Sequence, residues 1–459
     1  MNRIIRISLA AFAFAIFAAP YAEAQTVTSI TVTPNNPGIA YGTGPSGTQQ
    51  FTATATLSDK STQDVTASTT WSSSNSAVAT ISNASGSRGL ATSSAVGSSL
   101  ITAIYSGHTA TARLWQLAHT QSQIIQPSTT GTGINLELSN GAKHYVAYPD
   151  APKPLLVVFL GGTGSVPSSY TDLTDRAAGL GFGAIDLRYL NSVAAGSCTT
   201  DDNCYRQLRG EVLFGQGVRY GIGSPYDSLL IYVNQANSVV NRLVNLLDCL
   251  AYPSSPSRPQ CANSQPSAYW TQFLVSDSSS PYTTSNYPHG VVPNWSKIIL
   301  AGHSQGGGNA AYAAVFLADV LHRDVMFSAP DDSYSGSDHN CSGAPITTQS
   351  ASWIRVTSTT PMSGLWGVSN FNEGIYGSFA TTNWCHMSDG SHPGVGNPLH
   401  GTLTLVDDGA SDPLGSQQLQ TNMPNGSTMT NHFSTAVNGY YSPGMTDAWD
   451  YLLTGNGAD

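Results

Sequence analysis

The residue types able to do chemistry converge on one short stretch, Gly302-His303-Ser304-Gln305-Gly306, continued by Gly307-Gly308-Asn309-Ala310-Ala311. An apolar, β-branched run at 298–301 leads into it, and an Ala-rich run extends to about residue 321. That spacing predicts strand, tight turn, helix. A serine at the apex of such a turn projects its hydroxyl. Glycines two positions to either side, lacking Cβ atoms, let the strand and helix approach closely. Ser304 is therefore a candidate nucleophile, and the Gln305 amide at the helix start is a candidate oxyanion donor. This G-x-S-x-G pattern occurs once in the chain. His303 is too close in sequence to serve as the base and is expected to pack or orient.

A serine hydroxyl becomes nucleophilic only when a base takes its proton and an acid orients that base. The histidines after Ser304 are His322, His339, His386, His392, His400 and His432. A second Gly-rich turn, Gly161-Gly162-Thr163-Gly164, follows the apolar run 154–160. No Lys-Ser/Thr follows it and no G-x-G-x-x-G is complete, so a phosphate cradle is set aside. No C-x-x-C or H-E-x-x-H spacing suggests a metal site, and no cofactor is implied.

The elements that must position these residues begin after an exported leader. Residues 1–24 carry Arg3 and Arg6, an apolar core at 7–19 and the small-residue site Ala22-Glu23-Ala24. This reads as a signal peptide, with a secreted or periplasmic product. Losing two Arg and one Glu with it moves the formal charge from −10 to −11, which disfavours nucleic acid as a partner. No later apolar run is long enough to span a bilayer. The six cysteines, in an exported chain, are expected to pair by proximity: Cys198–Cys204, Cys249–Cys261 and Cys341–Cys385.

Residues 25–115 read as short alternating strands separated by Gly, Ser, Asn and Pro, with Trp71 the natural core aromatic. Residues 116–132, rich in Gln, Ser and Thr, read as a linker. From 133 to 459 strands alternate with helices, which predicts a mostly parallel, doubly wound α/β sheet. A hairpin is expected at 133–138 and 143–148, turned at Asn140-Gly141. A long helix is expected over 228–251, the one obvious helix of 198–295, and the aromatic and Pro-rich parts at 252–259, 269–273 and 282–293 read as loops.

The segments Ile30-Thr31-Val32-Thr33-Pro34, 70–81 and Ile101-Thr102-Ala103 are similar to bacterial Ig-like domains of group 2, modules that act as spacers or attach enzymes to surfaces. The stretch 133–459, with the turns at 160–164 and 302–311 and the run 240–247, resembles the α/β-hydrolase superfamily, in particular a group of secreted bacterial and fungal members. The resemblance implies serine-hydrolase chemistry and the chain order nucleophile, acid, base. It implies His432 as base, because a polar loop precedes it and the terminal helix follows; His400 is its rival. The acid belongs in the turn 369–374, where the related pattern has Asp and this chain has Asn372. That leaves Glu373, or else Asp332 (with Asp331 beside it) at the end of the strand expected at 324–329. Thr163 becomes the second oxyanion donor.

The implied partner is an ester substrate, soluble or held in a polymer or surface. Trp270, Trp366 and Trp384 would suit a polymer if exposed. The alternatives are a polyester or polymer depolymerase attached through the Ig-like module, and a non-catalytic adhesion protein on a hydrolase fold.

Overall fold

The computed structural model describes residues 25–34, 37–39, 47–135, 142–198, 202–220, 225–253, 259–340, 343–387, 404–406, 417–422, 426–442 and 444–455. The expected leader, the Asn140-Gly141 turn, Cys341, His392 and His400 lie outside them.

The N-terminal part is all β. Val27–Thr33, Thr52–Leu57 and Thr62–Asp64 form one small sheet, and Gly38–Ile39, Thr70–Ser73, Gly97–Tyr105 and His108–Gln116 form a second. Thr48–Gln50, Ala79–Ile81 and Leu90–Ser93 form a third. Alternate residues point inward, as a two-residue side-chain period requires. Ile30, Val32, Ala53, Ala55, Ile101 and Leu114 thus close around Phe51 and Trp71.

The large domain is built on one nine-stranded sheet. Its strands, numbered here along the chain, are β1 (Thr120–Ile125), β2 (His144–Pro149), β3 (Leu156–Leu160), β4 (Gly183–Asp186) and β5 (Ile298–His303), followed by β6 (Arg323–Phe327), β7 (Leu365–Asn370), β8 (Thr404–Val406) and β9 (Gln418–Thr421). Their spatial order is β1-β2-β4-β3-β5-β6-β7-β9-β8. β2 runs antiparallel to both neighbours; every pairing from β4 onward is parallel. Parallel neighbours need crossovers. The helices are α1 (Thr171–Gly179), α2 (Asp202–Phe214), α3 (Val239–Ala251), α4 (Ser267–Thr271), α5 (Gln305–Phe316), α6 (Ile375–His386), α7 (Thr428–Phe433) and α8 (Met445–Thr454).

β3 and β5 are buried on both faces, so their sequences are continuous apolar runs. Leu156, Val158, Leu160, Ile298 and Leu300 face a core shared with α2, α3 and α5. Val157, Phe159, Ile299 and Ala301 face the opposite core, shared with α1 and α8.

Four expectations change. The passage 116–132 is not a free linker: it contains β1, whose register runs from Thr120 opposite Pro149 to Ile125 opposite His144. As an edge strand it buries only Ile125 fully, so it lacks an apolar signal. The partner of the strand at 143–148 is therefore β1, whereas the first arm of the expected hairpin, 133–138, begins in a turn. The helix expected from 228 starts only at Val239, with the Ser238 hydroxyl capping the Asn241 amide. Upstream, the Glu211 carboxylate accepts from the amides of Ser228 (2.6 Å) and Val233 (2.8 Å) and fixes a loop on which Leu229 is fully exposed. Within 198–295, α2 had no clear apolar period because it carries buried Arg209 and Glu211.

The two parts meet closely. Trp115, 5% exposed, belongs to the large domain's core cluster with Leu173 and Phe182. The Leu117 amide donates to Ile39 on one side and the Ala118 amide to Gly179 on the other.

Cys198–Cys204 and Cys249–Cys261 are disulfides. Cys385 is also disulfide-bonded, and its expected partner, Cys341, is outside the described residues.

Candidate active site

Ser304 sits between the end of β5 and the first turn of α5, with φ 54° and ψ −119°. A β-carbon there is strained, and the surrounding packing must hold it. The glycines explain how that is possible. A Cβ on Gly302 would lie 2.3 Å from the Gly306 carbonyl carbon, and one on Gly306 would lie 1.9 Å from the Leu160 carbonyl oxygen. Only hydrogen fits where strand, turn and helix cross. The Ser304 amide donates to the Phe327 carbonyl at 2.9 Å, tying the turn to the end of β6.

Two loops bring the remaining groups over the C-terminal ends of the strands. After β7, the Asn370 amide donates to Glu373 Oε1 at 3.0 Å, and the Asn370 side chain donates to Ser434 Oγ at 2.9 Å. The other carboxylate oxygen, Oε2, lies 2.7 Å from His432 Nδ1. His432 is on α7, whose Ser427 cap accepts from the Thr430 amide. Asn372, where the related pattern has Asp, braces this junction: its side chain donates to the Asn422 carbonyl at 3.0 Å and its carbonyl accepts from Asn431 at 2.7 Å. Ser304, Gln305, Thr163 and His432 all line one cavity of about 770 Å³.

Asp332 is not brought to His432. Arg209 of α2 reaches it with Nε (3.0 Å) and a terminal nitrogen (2.5 Å), and Trp353 Nε1 donates to it at 2.9 Å. A buried guanidinium needs such a planar partner, and the remaining Arg209 nitrogen donates to the Gln305 carbonyl and to Asn309. This ion pair, which the sequence reading missed with α2, underpins the first turn of α5.

His303 has a hydrogen-bond partner at each ring nitrogen. Its Nδ1 lies 3.1 Å from the Tyr170 hydroxyl and its Nε2 2.9 Å from the His432 carbonyl. The same hydroxyl accepts from the Gly162 amide at 2.9 Å. In the second Gly-rich turn the amides of Gly164 and Ser165 donate to Asn191 and Gly162 carbonyls. The Thr163 hydroxyl donates to the Gln305 side chain at 2.7 Å.

Burial governs the electrostatics. It holds His432 down to about 4 and His303 to about 3, and it pushes Glu373 up to about 8, partly offset by a Ser328 hydrogen bond. The Glu373–His432 bond holds one proton. With Glu373 protonated, the carboxyl donates to Nδ1 and the imidazole proton sits on Nε2. With Glu373 ionised, Nδ1–H donates and Nε2 is free to accept.

The tryptophans do not form a surface: Trp270 and Trp384 are fully buried and Trp366 is partly so. The exposed apolar side chains at the cavity are Met429 and Tyr440. Among the described residues no helix is long and apolar enough to cross a membrane, and no His, Cys, Asp or Glu cluster is arranged to hold a metal.

These features define a protein of two parts, an Ig-like all-β module and a larger mixed sheet flanked by helices. Residues 26–113 match the family described as bacterial Ig-like domain (group 2). In that region the chain is 53% identical over 78 residues to ice-binding protein 1 of Shewanella frigidimarina (strain NCIMB 400), a match covering 17% of this chain and 8% of that relative. Solved structures with partial likeness include domains 5–6 of the S-layer protein SbsC (17% identity, TM-score 0.17, 28% of this chain and 63% of that one). For the larger part they include MGS-M1, an α/β-hydrolase enzyme from a Medee basin deep-sea metagenome library (10% identity, TM-score 0.22, 56% and 70%). They also include esterase B of Lactobacillus rhamnosis (10% identity, TM-score 0.24, 57% and 68%).

Proposed function

We propose that the large domain is an α/β-hydrolase and that the protein is a secreted serine hydrolase cleaving carboxylic esters through an acyl-enzyme. One observation carries the reading: a serine held at positive φ on a strand-to-helix turn shares a cavity with a histidine whose Nδ1 is bonded to a buried glutamate. Ser304 Oγ attacks the ester carbonyl while His432 Nε2 takes its proton. The carbonyl oxygen, now anionic, accepts from the amides of Thr163 and Gln305. His432 returns the proton to the departing alcohol, and water repeats the sequence to release the acid. Glu373 supplies the negative charge that stabilises the imidazolium. The paired cysteines and the pattern of residues 1–24 support export.

Turnover of p-nitrophenyl butyrate by the full chain, lost in Ser304→Ala, is the expected result. Equal turnover in the two proteins overturns the assignment.

Met429 and Tyr440, 45% and 43% exposed at the cavity, favour a second, narrower reading in which the ester belongs to a polymer or surface and the Ig-like module aids attachment. On an insoluble polyester the full chain should then outpace a chain beginning at Leu117; equal rates remove the module from this role. The non-catalytic alternative drew its support from Asn372, and the carboxylate of Glu373 at His432 takes that support away.

A further inference from the structure

The mechanism leaves one acidic group in the cavity without a task. Asp331 lines the same space as Ser304, Gln305 and His432. Its Oδ1 is out of solvent and has no hydrogen-bond partner among the described residues. The adjacent Asp332 is already held by Arg209 and Trp353, and Arg209 gives four of its five N–H groups to Asp332, Gln305 and Asn309. Burial, reinforced by the charges of Glu373 and Asp332 and opposed by Arg209, raises Asp331 well above the usual carboxylate range. A neutral carboxyl offers one O–H donor and one carbonyl acceptor. Much of the remaining lining is apolar, from Phe379, Met429, Phe433 and Val437. The walls therefore suit a hydrocarbon chain, with one point that both gives and takes a hydrogen bond. A second anion beside Glu373 and Asp332 would be repelled, whereas a hydroxyl matches both functions.

We propose that Asp331 is the polar anchor of the substrate subsite and binds a hydroxyl carried by an otherwise apolar ester, so that hydroxylated esters are the preferred substrate class. This rests on the hydrolase reading and names the substrate of that same site. The hydroxyl could belong to the acyl or the alcohol part, so the test has two arms. One compares p-nitrophenyl 3-hydroxybutyrate with p-nitrophenyl butyrate. The other compares 2-hydroxyethyl butyrate with ethyl butyrate. The full chain should prefer the hydroxylated member of one pair by about tenfold in kcat/KM, the worth of one buried hydrogen bond.

Asp331→Asn, which keeps a donor and an acceptor, should retain the preference, and Asp331→Leu should bring the ratio to about one. Labelling of Ser304 by a fluorophosphonate in each variant reports an intact site. A ratio near one for the parent protein in both arms, or a ratio unchanged in Asp331→Leu, overturns the proposal. So does an equal fall in kcat for both members of a pair in Asp331→Asn, which would make Asp331 part of the proton relay. Hydrolysis of unsubstituted butyrate that depends on Ser304 reports the hydrolase reading separately, so the two failures are distinct.

Discussion

The Ig-like module and the large domain bury different things. Among the described residues of the module the buried polar side chains are Thr69, Ser93, Ser99 and Gln116, none charged, around an apolar centre of Phe51 and Trp71. The large domain buries His144, Asp186, Arg209, Glu211, Arg242, His303, Asp324, Glu373 and His432. A folded unit needs only the first kind of interior; buried ionisable groups are costly and persist where something else requires them. The contrast favours the larger part as the place for the proposed chemistry without reference to any motif. It also makes clear that not every buried charge is chemical. Arg209 and Asp332 hold a helix, Glu211 fixes a loop, and Glu373 faces His432.

The comparison can be broken in graded steps. The largest effect belongs to the relay: His432→Ala should lower kcat on a p-nitrophenyl ester by about 10⁵-fold or more, with melting temperature as the control for folding. Glu373→Gln should follow at about 10²- to 10⁴-fold. It should also change the shape of the pH profile. His432 must be neutral to accept a proton, so activity falls toward pH 4. Glu373 must be ionised to place the imidazole proton on Nδ1, so activity rises again as pH passes about 8. The glutamine variant should lose that upper rise; a profile identical to the parent's would remove Glu373 from the relay.

Trp71→Ala should destabilise the module by about 3–5 kcal/mol, seen as a separate early unfolding transition, while esterase turnover at low temperature persists. Loss of both together would show that the module is part of the catalytic unit. A chain beginning at Gly133 should melt below one beginning at Leu117, since it lacks β1.

The smallest effect concerns Asp324, whose two carboxyl oxygens have no hydrogen-bond partner among the described residues and which burial raises well above the usual range. Below the unfolded value of about 4 both states are protonated and nothing is lost. As pH rises, the unfolded carboxyl releases its proton before the folded one, so folding stability falls. Asp324→Asn should therefore raise the melting temperature by about 2–4 °C at pH 8 and leave it unchanged at pH 3.

How much of this could be read in the sequence followed from how local each signal was. The turn at 302–306 was legible because steric constraint acts within five residues, and Trp71 because strand alternation is local. Glu373 was recoverable from its place after an apolar strand, although Asn372 occupies the position where Asp was sought. Asp332 and Glu373 are rivals by sequence; the bonds from Arg209 separate them, and Arg209 sits on a helix whose buried charges hide its period. β1 stayed hidden because an edge strand can be polar on its exposed side and still pair through its backbone. The start of α3 was available in Ser238, a good cap, but the apolar run 229–233 masked it.

The most direct test of the central claim is the rate at which a fluorophosphonate modifies the full chain. The account predicts covalent labelling of Ser304 alone, none in Ser304→Ala, and labelling slowed by about 10²-fold or more in His432→Ala. Labelling of His432→Ala at the parental rate, or of a residue other than Ser304, would contradict it.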